Sequence, residues 1–103
     1  MQCNEYQQLA KRTANETLIT NFLLGLAGEA GEVVDYMKKV LYHGHLLDLD
    51  KLSKELGDVL WYISQIALYY DLELNKVALD NIEKLKARYP KGFSTERSIN
   101  RAE

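Results

Sequence analysis

Pro90 is the only proline among 103 residues, so the first 89 positions lack the side chain that most sharply breaks a helix. Over that stretch apolar residues recur at steps of three and four. β-Branched residues are scattered, and no alternating run persists. An all-α fold is therefore expected.

The spacing predicts four helices. The first runs from about Asn4, as N-cap, to about Ala14, with Tyr6, Leu9, Ala10 and Thr13 facing inward. The second runs from about Asn21 to Leu41 on a stripe of Leu23, Leu26, Ala27, Ala30, Val33, Val34, Met37 and Leu41, and Gly44 stops it. Asp48 or Asp50 caps a third helix reaching Tyr70, with Leu52, Leu56, Val59, Ile63, Ile66 and Tyr70 on one face. The fourth spans about Leu74 to Tyr89, turning Leu74, Ala78, Ile82, Leu85 and Tyr89 inward, and Pro90-Lys91-Gly92 ends it. Residues 1–92 read as one helical domain and 93–103 as a polar, irregular tail. Helix three is apolar on a second side as well, where Trp61 and Leu68 share a stripe. Either helix one or another subunit would cover it.

Composition excludes several classes. Thirteen Lys and Arg against fifteen Asp and Glu leave a net charge of −2, with no basic field to wrap a nucleic acid polymer. At 47% hydrophobic the chain can build one core, yet no apolar run approaches the roughly 20 residues that span a bilayer. Its N-terminus lacks the basic-then-apolar order of a secretion signal. Cys3 stands alone, which excludes an intrachain disulfide and a cysteine zinc cluster and makes the reducing cytoplasm the expected compartment. A chain this short buries a modest fraction of its surface, so self-association is expected.

The chemistry concentrates on helices two and three. Glu29 and Glu32 lie three positions apart on one, Glu55 and Asp58 three apart on the other, and at that spacing both carboxylates of a pair leave the same side. If the two helices pack antiparallel, all four face one cleft. Like charges about 4 Å apart repel by on the order of 4 kcal/mol at an effective dielectric of about 20, so such a cluster requires protons or a cation. Hard oxygen donors favour Mg²⁺, Mn²⁺ or Ca²⁺ over zinc or copper. Gly25, Gly28 and Gly31 surround the first pair, each at about 1 kcal/mol against alanine, which implies close approach of a backbone or a ligand. Helix four adds a polar stripe of Asn81, Lys84 and Arg88, and Lys38 and Lys39 close helix two. Cations beside an acidic metal cluster suit a polyphosphate. Tyr62 or Tyr69 would line the cleft, core packing being preferred for Tyr69. Trp61 is expected to point away from the acids, and His43 and His45 read as turn residues. Arg97 and Arg101 either fold over a phosphate or belong to a loose terminus.

Taken together, Gly25-Leu26-Ala27-Gly28-Glu29-Ala30-Gly31-Glu32-Val33-Val34, Glu55-Leu56-Gly57-Asp58-Val59-Leu60-Trp61-Tyr62 and Asn81-Ile82-Glu83-Lys84-Leu85 resemble the MazG-type all-α nucleoside triphosphate pyrophosphohydrolases. The resemblance extends from about Asn4 to Arg101, including Tyr89-Pro90-Lys91-Gly92-Phe93-Ser94. It implies a four-helix core packed as a homodimer or homotetramer, and Mg²⁺-dependent hydrolysis of a nucleoside triphosphate to the monophosphate and pyrophosphate. It makes Glu29, Glu32, Glu55 and Asp58 the metal ligands and sets Asn81 and Lys84 against the phosphates, with Lys38 or Lys39 as further candidates. The longer family pattern opens with two adjacent acids, and Gly28 stands in the first place here, which bears on metal count and on the identity of the base. Charge then gives the expected mechanism: water attacks the α-phosphorus, Glu32 takes its proton, and Lys84 and Arg88 help stabilise the leaving pyrophosphate. The alternatives are a phosphoribosyl-ATP-type pyrophosphohydrolase and a non-catalytic helical module with a degenerate acid cluster.

Overall fold

The computed structural model describes residues 1–15 and 18–100. Five helices follow in order: α1 (Cys3–Lys11), α2 (Ile19–Tyr42), α3 (Leu49–Tyr69), α4 (Leu74–Arg88) and α5 (Thr95–Ile99). Among the described residues there is no β-strand.

The longest two helices form a hairpin. Where α2 ends, Gly44 at φ 73° turns the chain, and the His43 and His45 amides both donate to the Lys39 carbonyl. Asp48 starts α3, its carboxylate accepting from the amides of Asp50 and Lys51 as an N-cap should. Tyr36 pairs with Asp48, Glu29 lies near Glu55 and Asp58, and Gly25 lies against Tyr62. As one index falls the other rises, so α2 and α3 are antiparallel, and their contact is the most extensive between any two helices. Gly25 sits where Tyr62 crosses α2: a Cβ there would run into the Tyr62 ring.

Helix α1 lies against α3 and meets the start of α4. Asn4 is not the cap of its own helix; Gln2 holds that position. The Asn4 and Gln7 side chains instead cap α4, accepting from the amides of Asn75 (2.8 Å) and Leu74 (3.1 Å). Glu73, the local N-cap of α4, makes no side-chain cap bond, so α1 satisfies donors that the α4 sequence leaves open. Gln7 is 2% exposed and also donates to the carbonyls of Ser64 and Leu72. The turn from α3 to α4 is a Schellman motif with Asp71, at φ 57°, in the left-handed position, closed by Leu72 N–H to Ala67 and Asp71 N–H to Leu68.

Two further expectations change. Residues 95–99 are helical rather than irregular: Ser94 caps α5, and Arg97 turns back to donate to the carbonyls of Ala87 and Arg88. The apolar stripes are only partly buried. Phe22, Tyr36, Ala67 and Leu74 are buried, whereas Leu9, Leu23, Val34, Leu41, Leu56, Tyr70, Ile82 and Leu85 remain 40% or more exposed. The surface of 7887 Å² exceeds the roughly 6,000 Å² typical of a folded monomer of 11.9 kDa. The radius of gyration, 16.6 Å, likewise exceeds the approximately 13 Å of a compact chain this long.

Candidate functional site

The antiparallel register brings the acids together. Glu29 from α2 and Glu55 and Asp58 from α3 each offer a carboxylate oxygen within 4.8 Å of the others. The first two are half-buried and Asp58 is exposed. Burial pushes the Glu29 carboxyl above its ordinary value, and the charges of Asp58, Glu55 and Glu32 add to the shift in that order. The groups repel, and all offer hard oxygen donors. Such a donor set fits a divalent cation of the Mg²⁺ or Mn²⁺ kind. Glu32, the fourth acid, lies outside this trio, exposed one turn nearer the hairpin loop.

Two cavities flank the trio. One, of about 310 Å³, is lined by Glu29 and Asp58 together with Thr13, Trp61 and Tyr62. Trp61 therefore does not point away from the acids. Its Nε1 donates to the Ala10 carbonyl (3.1 Å) and the Thr13 hydroxyl (2.9 Å), so helix α1 covers the ring's edge while part of the ring walls the cavity. Phe22 and Tyr62 meet the indole edge-on at 5.9 and 4.9 Å. The second cavity, about 110 Å³, is lined by Glu32 and Glu55 with Asp35, Tyr36, Lys39, His45 and Lys51. The groove is thus aromatic at one end, while its other end mixes the carboxylates of Glu32, Asp35 and Glu55 with Lys39, Lys51 and His45.

Lys39 pairs with Asp35 at 2.9 Å and Lys38 with the same carboxylate at 3.7 Å; the hydrogen bond from Lys39 leads in holding Asp35 below its ordinary value. Of this pair only Lys39 reaches the cavity. Asn81 and Lys84 are exposed on α4, which packs on α1 and α3, and neither lines the two cavities. Arg88 is buried at 9% exposure at the end of α4, beneath α5. Arg97 is committed to the α4 carbonyls, and Arg101 lies outside the described residues. Tyr69 is half exposed, edge-on to Tyr70, and not in the core.

Thr13, His45 and Lys51 line the cavities, and the sequence does not single them out as groove residues. Burial, with the Asp58 charge behind it, pushes the Tyr6 phenol above its ordinary range. No spacing rule links positions 13 and 58 or 32 and 45, because contacts between elements carry no local period. Only the caps of the hairpin, Gly44 and Asp48, hinted that residues 45–51 return toward α2.

The MazG nucleotide pyrophosphohydrolase domain matches residues 8–93 of this chain. The chain belongs to that family. It is also similar to the gene 37 protein of Mycobacterium phage L5, at 38% identity over 82 residues, covering 76% of this chain and 72% of the phage protein. No solved structure gives a significant match.

Proposed function

We propose that the chain hydrolyses a nucleoside triphosphate to the monophosphate and pyrophosphate with the help of Mg²⁺, for which Mn²⁺ can substitute. The observation that carries this reading is the convergence of Glu29, Glu55 and Asp58 on one point of the α2–α3 groove, within a family of nucleotide pyrophosphohydrolase domains. These three, joined by Glu32, would hold the cation. When bound, it supplies Lewis-acid polarisation of phosphate oxygens and lowers the pKa of water.

The chain's own groups divide the remaining work. Glu32, outside the trio, is free of the tightest repulsion and serves as the base. It accepts a proton as the water oxygen bonds to the α-phosphorus. The bond from that phosphorus to the oxygen bridging toward the β-phosphate breaks, and its electron pair leaves with pyrophosphate. Trp61 and Tyr62 present aromatic surface to the nucleoside, which accepts any base by stacking. Lys38, Lys39, Asn81, Lys84 and Arg88 are assigned to the phosphates. Since α4 is turned away from the groove of its own protomer, Asn81 and Lys84 would serve a neighbouring subunit's groove.

That arrangement agrees with assembly as a homodimer or homotetramer. The surplus surface, about 1,900 Å² over a compact monomer, is more than twice the roughly 800 Å² per partner of a standard interface. Among the described residues no helix is long and apolar enough to cross a membrane. The working compartment proposed is the reducing cytoplasm, where exposed Cys3 stays a thiol. No nucleic acid polymer is expected as a partner.

The test is turnover of a panel of ribo- and deoxyribonucleoside triphosphates with Mg²⁺, reading monophosphate and pyrophosphate. Glu55→Gln and Asp58→Asn should each lower kcat/KM by about 100-fold or more and abolish the rise in Tm that Mg²⁺ gives the wild type. Turnover retained by both variants would place the reaction elsewhere.

A further inference from the structure

Trp61 is the sole tryptophan of the chain, and its ring is tied from outside its own helix. On α3 it follows Asp58 by three positions and Tyr62 follows by four, so the acid and both rings leave one face. All three line the cavity of about 310 Å³, together with Glu29 and Thr13. The Ala10 carbonyl receives three donors there: the Trp61 Nε1 (3.1 Å), the Thr13 amide (3.2 Å) and the Thr13 hydroxyl (3.0 Å). An oxygen with two lone pairs serves three donors poorly. Thr13 meets the shortage, because its hydroxyl donates to Ala10 and at the same time accepts the indole N–H at 2.9 Å, the shortest of these contacts. The far end of α1 is held separately, where Asn4 and Asn75 exchange bonds from amide to side chain of 2.8 and 3.1 Å. Thr13, just past the end of α1, therefore sits on an anchored arm, and Phe22 of α2 meets the same ring at 5.9 Å.

We propose that Thr13 is a positioning residue for the nucleoside end of the substrate: its hydroxyl sets the angle at which Trp61 walls the cavity beside Glu29 and Asp58. The inference rests on the proposed reaction and deepens it by adding a residue from the α1 arm, which carries none of the acids or cations assigned to that reaction. An indole free to turn must be ordered in each binding event, whereas one held by α1 meets the ligand already in place. With its N–H committed to Thr13 and Ala10, Trp61 offers the base surface and no hydrogen bond, so the device works alike for every base. Because the hydroxyl acts through the ring, its loss falls on binding of the nucleoside and spares the chemical step.

Two variants separate the hydroxyl from the space it fills: Thr13→Val keeps the branched shape without the hydroxyl, and Thr13→Ser keeps the hydroxyl. With Mg²⁺ present, Thr13→Val should weaken a nucleoside monophosphate about fivefold in calorimetry, the loss of one modest hydrogen bond. Inorganic pyrophosphate, which has no base, should stay within about twofold of wild type. In turnover the same variant should raise KM about fivefold with kcat within about twofold. Tryptophan emission comes from Trp61 alone, so Thr13→Val should also shift the spectrum, and Thr13→Ser should restore both spectrum and affinity. Equal weakening of both ligands, or of neither, overturns the proposal, as does a fall in kcat at constant KM or a Thr13→Ser variant no better than Thr13→Val. Wild type that binds the monophosphate with this Thr13 dependence but hydrolyses no triphosphate keeps the positioning role and loses the reaction. Normal turnover with a Thr13→Val variant that binds like wild type keeps the reaction and loses the positioning role.

Discussion

The two sides of helix α3 bury polar groups in opposite ways. Toward α1 and α4, Gln7, Ser64 and Gln65 are all at most 3% exposed and are knit together: Gln7 spans Ser64, Leu72 and Leu74, the Ser64 hydroxyl donates to the Trp61 carbonyl, and Gln65 donates to Ser64. Toward α2, Glu29, Glu55 and Asp58 crowd together, and burial, with the neighbouring carboxylate charges behind it, drives the Glu29 carboxyl up. The first region is satisfied and holds three helices in register. The second gathers like charges for which no hydrogen bond or ion pair is made among the described residues. A polar group in a partly buried position earns no functional reading until its partners are counted; here the unmet electrostatic demand marks the site.

The sharpest way to break this contrast is to remove the satisfied side's central residue. Gln7→Ala strands the buried Leu74 amide and removes the bonds to the buried Ser64 carbonyl and the partly buried Leu72 carbonyl, and should cost about 2–4 kcal/mol in chemical denaturation. Activity per folded molecule should stay near wild type, because Gln7 lines neither cavity of the groove. A loss below about 1 kcal/mol would mean that water replaces the amide and that the junction is less tightly specified than its bonds imply.

The glycines of α2 separate packing from propensity. Gly25→Ala forces the Tyr62 ring aside and should cost about 1–3 kcal/mol, together with a raised KM for nucleotide. Gly28 and Gly31 meet nothing within 4 Å. Alanine at either should stabilise the helix by roughly 0.5–1 kcal/mol if that face stays open. Destabilisation, with a shift toward monomer in light scattering, would show that a second copy closes on it.

The smallest effect is one of pH. Without divalent cation, a Glu29 carboxyl raised in the folded state favours the protonated fold. Its contribution is complete below the ordinary value of 4.5 and is lost as pH rises through the folded value. Asp35, lowered by Lys39, works the other way: its contribution is present above the ordinary value of 3.8 and is lost as pH falls. Melting temperature measured against Glu29→Gln should therefore fall for the wild type as pH climbs above about 4.5, and Mg²⁺ should reverse the difference. A flat comparison would mean that the trio opens and hydrates.

Much of this was written in the chain. The four main helices, Gly44 as the stop of α2, Asp48 as the cap of α3 and the pairing of acids at three-residue spacing all follow from local geometry, which repeats every turn and is visible in a string of letters. Position 4 shows the limit: Asn4 has the chemistry of an N-cap, and it is one, but for α4. Trp61 shows it again, since an indole on the back of α3 reaches the groove only because α1 takes its N–H from behind. The expected burial of Leu56, Ile82 and Leu85 did not occur within one chain.

Sequence alone therefore determined the four main helices and the four carboxylates, because propensity, capping and periodicity act over a few residues. Tertiary structure decided which three carboxylates converge, that Glu32 stands aside, that α4 faces away and that His45 returns over the groove. Those outcomes depend on the crossing and register of elements tens of residues apart, where helix faces compete for limited apolar partners and no local rule ranks the winners.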